Sequence, residues 1–224
     1  MSVPSATIPA ADAGLRVTEI FHSIQGESRP MGLPTVFIRL TGCPLRCTWC
    51  DTAYAFQGGQ RRTIPDIVAE AGRYATRHVC VTGGEPLAQP GCIDLLRGLC
   101  DAGFVVSLET SGALDIATVD PRVTVVLDVK APGSGEAARN RLANLPLLKP
   151  TDQVKIVLGD RADYDWARTF LAEHALTDRC EVLFSPVWGA LEARALAEWI
   201  LADRLPVRFQ LQLHKLLWGD APGH

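Results

Sequence analysis

Apolar residues along this chain follow two rhythms that take turns. Short apolar runs rich in β-branched residues read as strands at positions 17–21, 35–40, 79–81, 104–108, 123–129, 153–158, 180–184 and 207–213. Between them apolar side chains recur every three or four positions, the spacing of one helical face. Ile67, Val68, Ala71 and Tyr74 share such a face behind a start signal of Thr63, Pro65 and Asp66. Cys92, Ile93, Leu96, Leu99 and Cys100 share another over 91–102, stopped by Gly103. Further helices are predicted over 136–145, over 163–175 with Trp166, Phe170 and Leu171, and over 190–202 with Leu196, Trp199 and Ile200.

Strands alternating with helices imply right-handed crossovers and a mostly parallel sheet. About six core strands are too few for a closed eight-stranded barrel. The expected class is therefore α/β, an open, partial βα barrel, with a doubly wound open sheet as the alternative. The polar motifs sit just after strands, at the edge where such folds gather active sites.

Composition narrows the picture. The 224 residues are 47% hydrophobic, which suits one sizeable core. Residues 1–14 read as a flexible N-terminal tail and 15–224 as a single domain. The net charge of −3, without a basic run, argues against nucleic acid or a membrane surface as partner. No stretch approaches the ~20 apolar residues of a membrane helix. The cysteine count of seven is odd, and Cys80, Cys92, Cys100 and Cys180 are scattered in apolar segments. They read as buried free thiols in a reducing, cytoplasmic setting.

The other three cysteines carry chemistry. Residues 41–52 read Thr-Gly-Cys-Pro-Leu-Arg-Cys-Thr-Trp-Cys-Asp-Thr, with Cys43, Cys47 and Cys50 in one loop after a strand. Thiolates are soft ligands that favour iron–sulfur clusters or zinc. A structural zinc site is normally closed by four ligands, whereas three leave one iron of a cubane open. Downstream, Thr82-Gly83-Gly84-Glu85-Pro86 follows the next strand, and its glycines allow close approach to the backbone. Glu109-Thr110-Ser111-Gly112, Asp128-Val129-Lys130 and Ser185-Pro186-Val187-Trp188 end later strands. Each offers charged, hydroxyl or backbone groups to a ligand.

The Cys-x3-Cys-x2-Cys loop, with Trp49 before the last cysteine, resembles the radical S-adenosylmethionine superfamily. The resemblance implies a 4Fe-4S cluster whose open iron chelates S-adenosylmethionine and whose electron cleaves it to a 5′-deoxyadenosyl radical. A narrower likeness spans residues 17–219. Ser23-Ile24-Gln25-Gly26-Glu27, residues 34–39, Gly42 with the cysteine loop through Asp51-Thr52, and Gln212-Leu213-His214-Lys215 resemble the 7-carboxy-7-deazaguanine synthase family.

That family contracts 6-carboxy-5,6,7,8-tetrahydropterin to a deazapurine of the queuosine pathway, as a carbon–nitrogen lyase releasing ammonia. The likeness implies that Ile24, Gln25, Gly26, Glu27 and Thr82 meet the pterin and that Arg39 pairs with its carboxylate. It implies Thr52 on a magnesium ion, and a contact from the terminal carboxylate of His224. Trp49, Cys50, Asp51, Gly84, Glu85, Glu109, Asp128, Val129, Lys130, Ser185, Pro186, Val187 and Trp188 would form the cofactor site. An electron donor such as flavodoxin and a homodimer are implied as partners. The chain departs from the family pattern at Ser28, where glycine is usual, at Asp128, and at 185–188. Two other readings stay open: an activase that makes a glycyl radical on a protein, and a non-catalytic zinc module.

Overall fold

A computed structural model describes residues 14–219, 221 and 223. The predicted tail, apart from Gly14, and His224 lie outside the described residues. The strands are β1 (Leu15–Ile24), β2 (Pro34–Leu40), β3 (Gln60–Arg62), β4 (His78–Gly83), β5 (Val105–Thr110), β6 (Thr124–Asp128), β7 (Gln153–Leu158), β8 (Glu181–Pro186) and β9 (Arg208–Phe209). They form one sheet in the order β3-β1-β2-β4-β5-β6-β7-β8-β9. From β2 onward every pairing is parallel, and β1 and β3 add an antiparallel edge. The helices are α1 (Ile64–Ala71), α2 (Cys92–Asp101), α3 (Arg161–His174), α4 (Ala193–Asp203) and α5 (Leu213–Trp218).

Alternation along the strands decides the architecture. Val36, Ile38 and Leu40, then Val79 and Val81, then Val106 and Leu108 bury their side chains with Ile67 and Ala71 of α1 and Leu95, Leu96 and Leu99 of α2. Val125, Leu127, Val154, Ile156, Leu158, Val182 and Phe184 do the same with Tyr164, Ala167 and Phe170 of α3 and Leu196 and Ile200 of α4. The intervening positions, Phe37, Arg39, Thr82, Glu109, Asp128, Lys155 and Val157, line a cavity instead. Side chains two apart share a strand face, so one face is oily and helix-covered while the other is polar and hollow. That is an unclosed barrel with six full-length parallel strands and the two-residue β9 beyond them.

Local signals behave as expected where chemistry is local. Thr63 caps α1, its hydroxyl accepting from the Asp66 amide at 3.2 Å, with Pro65 in the first turn. Asp160 caps α3 through the Asp163 amide at 2.9 Å.

Two predicted elements differ. Residues 136–145 form short 3-10 turns rather than a helix. Asn140 exchanges two hydrogen bonds with the Lys130 backbone, and Asn144 donates to the Gly112 and Leu114 carbonyls. Side-chain bonds to distant backbone thus displace the helical pattern, and Pro146 closes the segment. The strand predicted at 207–213 shrinks to β9, because the Gln210 side chain turns inward to accept from the Ser28 amide at 2.6 Å and α5 begins at Leu213.

Candidate active site

The cavity has a volume of about 530 Å³ and opens at the carboxyl ends of the parallel strands. Cys43, Cys47 and Cys50 line one side of it. Their loop is pinned from both ends. Glu85 N–H donates to the Gly42 carbonyl at 2.7 Å, and the Thr48 amide and hydroxyl donate to Ser134 and Gly133 carbonyls at 3.0 and 2.9 Å. The turn holding those carbonyls is itself fixed by the buried Asp163 carboxylate, which accepts from Gly133 and Gly159 amides at 2.8 and 2.9 Å. The Trp49 ring packs where a Cβ on Gly159 would stand.

All three cysteines are free thiols. Burial raises the pKa of Cys43 and Cys47, while Lys130 beside them works the other way and favours the thiolate a metal requires. The Leu45 amide donates to Cys43 Sγ at 3.4 Å. Among the described residues, no three His, Cys, Asp or Glu side chains close on one point as a lone metal ion needs. Three thiols on one wall fit a cluster with an open corner better than a sealed zinc site.

Close packing explains the Gly-Gly motif. A Cβ on Gly84 would stand 2.1 Å from the Gly42 carbonyl oxygen, and one on Gly83 would stand 2.4 Å from that of Leu40. The backbone that comes so near is the chain's own. Glu85 is fully buried and does not line the cavity. Its carboxylate accepts from the Leu87 amide at 3.0 Å, from the Thr110 hydroxyl at 2.9 Å, from the Ser111 amide at 2.7 Å and from the Ser111 hydroxyl. It clamps the ends of β4 and β5 together.

Beside the thiols, acids and bases interleave. Lys155 Nζ lies 2.6 Å from Glu27 Oε2 and 3.7 Å from Asp128 Oδ2, and Lys130 Nζ lies 2.9 Å from the same Asp128 oxygen. Burial opposes each lysine's charge, but the carboxylates outweigh it, so both pKa values rise, that of Lys155 strongly. Glu27 is held below its usual range for the matching reason, Lys155 and Gln212 overcoming desolvation. Among the described residues Asp128 Oδ1 is buried without a partner, which leaves an acceptor for a ligand donor. Glu109 accepts from Thr82 Oγ1 at 2.9 Å and from Gln25 Nε2 at 3.4 Å. The Lys215 ammonium stands 3.3 Å from Asp51, whose other oxygen accepts from the Thr52 hydroxyl at 2.9 Å. These contacts outweigh burial and depress the Asp51 pKa.

Of the residues singled out in the sequence, Ile24, Gln25, Glu27, Arg39, Thr82, Gly84, Glu109, Asp128, Lys130, Val187 and Trp188 share the cavity with the cysteine loop from Trp49 to Thr52. Glu85, Val129, Ser185 and Pro186 are buried behind it. Gly26 presses on His214, which joins the cavity wall, and its carbonyl accepts from the Leu213 amide at 3.0 Å. Lys155 and Tyr54 line the cavity without having been singled out, and Lys215, named in the C-terminal motif without a role, lines it as well. Only the alternation of β7 hinted at Lys155, and it does not tell a hollow face from a solvated one.

Comparison with known proteins bears on this arrangement. Residues 37–125 match the Radical SAM superfamily model. The chain is 49% identical over 218 residues to the 7-carboxy-7-deazaguanine synthase of Chlorobaculum tepidum, a match covering 96% of this chain and 99% of that protein. It is 41% identical to the protein of that name from Koribacter versatilis, over 91% of this chain and 97% of the other. The crystal structure of QueE from Escherichia coli superposes with a TM-score of 0.75 at 25% identity, covering 92% of this chain and 96% of that one.

Proposed function

Because the chain belongs to the 7-carboxy-7-deazaguanine synthase family of radical S-adenosylmethionine enzymes, we propose a division of labour among the residues of its cavity. The protein is a lyase of queuosine biosynthesis that converts 6-carboxy-5,6,7,8-tetrahydropterin to 7-carboxy-7-deazaguanine with release of ammonia. Its family uses a 4Fe-4S cluster and S-adenosylmethionine, which together supply the one-electron cleavage that starts the radical chemistry. The observation that carries the reading is a single cavity lined both by the three thiols and by Arg39.

Cys43, Cys47 and Cys50 hold the cluster. Asp128 and Lys130, with the backbone around Gly84 and the walls of Trp49, Asp51, Val187 and Trp188, receive the cofactor's polar and adenosine parts. Glu85, Val129, Ser185 and Pro186 shape that wall from behind. Arg39 takes the pterin carboxylate, Ile24, Gln25, Gly26, Glu27 and Thr82 read the ring edge, and Glu109, bonded to Thr82 and Gln25, serves the cofactor side. Thr52 would offer its hydroxyl oxygen to a magnesium ion, which would help hold and polarise the substrate. His214 and Lys215 of α5 complete part of the cavity wall. We read 15–224 as one unit working in the cytoplasm, as a homodimer reduced by a flavodoxin-type donor. The small-molecule reading is preferred over a protein-radical activase because charged groups crowd the cavity wall beside the thiols.

Anaerobic reconstitution followed by incubation with the carboxylated tetrahydropterin, S-adenosylmethionine and a strong reductant tests the assignment. Deazaguanine product with matching ammonia is expected. Cofactor cleavage without product overturns it.

A further inference from the structure

Arg39 meets a second carboxylate, and an irregularity in the sheet makes the meeting happen. Along β1 and β2, Val17 pairs with Leu40, yet the next pair is Glu19 with Arg39, so β1 carries one residue too many. This is a bulge at Thr18, whose hydroxyl bonds to Thr41 at 2.7 Å. Without it Thr18 would stand opposite Arg39. The extra residue puts Glu19 there instead, on the same face as its partner. Arg39 Nε then donates to Glu19 Oε1 at 2.7 Å. Tyr54 Oη, from the turn just after the cysteine loop, donates to that same oxygen at 2.7 Å. The guanidinium carbon lies 5.8 Å from both the Phe21 and Tyr54 ring centroids.

We propose that Glu19, seconded by Tyr54, is a positioning residue that fixes the Arg39 guanidinium so that both Nη groups remain for the pterin carboxylate. Among the described residues neither Nη has a hydrogen-bond partner, although the side chain is mostly buried and lines the cavity. Glu19 itself does not line the cavity. A fork held at Nε and flanked by rings has already lost its rotamer freedom, so less is lost on binding. Tyr54 also ties the substrate anchor to the loop bearing the cluster.

The inference rests on the pterin reading of the cavity. It is tested on anaerobically reconstituted holoenzyme with S-adenosylmethionine bound, by measuring affinity for 6-carboxy-5,6,7,8-tetrahydropterin and for the same tetrahydropterin without its carboxylate. Glu19→Ala should weaken the carboxylated ligand about tenfold and the other less than about twofold, with iron content and cofactor affinity unchanged. Glu19→Gln, which keeps an acceptor oxygen for Nε, should recover to within about threefold of wild type. Removing Glu19 also unmasks positive charge, so equal or tighter binding of the carboxylated ligand overturns the proposal. Equal weakening of both ligands overturns it too, since that is what a merely structural pair would give. Should Glu19→Ala fail to fold, Tyr54→Phe removes a single hydroxyl and is judged by the same selectivity. Wild-type enzyme that forms no deazaguanine sinks the parent reading, whereas unchanged selectivity in an active enzyme sinks only the positioning role.

Discussion

Glu27 and Lys155 stand 128 positions apart in the chain, yet Lys155 Nζ donates to Glu27 Oε2 at 2.6 Å on the cavity wall. The pair bridges the loop after β1 to β7, across the sheet. Breaking it leaves a buried charge alone. Lys155→Met should therefore cost about 3–5 kcal/mol of unfolding free energy, and the double variant with Glu27→Gln less than the sum of the two single changes. Urea unfolding of all three proteins checks this.

The same pair fixes a pH dependence. Glu27's folded pKa is depressed below 4.5, so its stabilisation is complete above that value and vanishes as pH falls through the lower folded pKa. Lys155's pKa is raised above 10.5, so its contribution is complete below that value and is lost only as pH rises through the higher one. Stability should fall toward acid, and Glu27→Gln should flatten that limb of the curve. Chemical unfolding across pH 3–7 reads it directly, that window being about the range of carboxylate titration.

Gly84→Ala asks a Cβ to occupy the place of the Gly42 carbonyl, 2.1 Å away. The neighbour is backbone at the root of the cysteine loop, so the loop must shift. We expect a loss of about 1–3 kcal/mol, together with reduced iron uptake on reconstitution. Full iron content at wild-type stability would contradict this packing.

Glu85→Gln tests the buried clamp between β4 and β5. Every partner of that carboxylate is a donor, so an amide nitrogen would face donors. The change should cost about 2 kcal/mol and weaken S-adenosylmethionine binding indirectly, through the wall it supports. Calorimetric titration with the cofactor, beside thermal unfolding, separates the two effects.

How far the sequence alone could carry these conclusions varies with the range of the physics. The cysteine loop and the cap at Thr63 are local, and they stand where the residues point, whereas Glu85 of the Gly-Gly-Glu-Pro turn faces inward to Thr110 and Ser111 instead of a ligand. Lys155 alternates with Val154 and Ile156 like any half-exposed strand residue, and only the order β6-β7-β8 reveals that its face is the hollow of the barrel. Glu19 was illegible for a sharper reason: a one-residue bulge decides its partner. The helical period at 136–145 lost to Asn140 and Asn144, whose amides find backbone far away in sequence. Ser28 adopts a left-handed conformation with φ of 62°, which glycine takes at least cost, and the sequence alone did not reveal that backbone.

The account depends most on three thiolates holding a cluster with one iron left to the cofactor. Iron and acid-labile sulfide analysis of the reconstituted protein, read beside its Cys47→Ala variant with and without S-adenosylmethionine, addresses that directly. Wild-type protein should carry about four irons and four sulfides per chain and change its electron-paramagnetic spectrum on adding the cofactor. The variant should lose the cluster while unfolding within about 1 kcal/mol of wild type. One tightly held zinc without sulfide, or a cluster whose spectrum ignores the cofactor, would contradict the account.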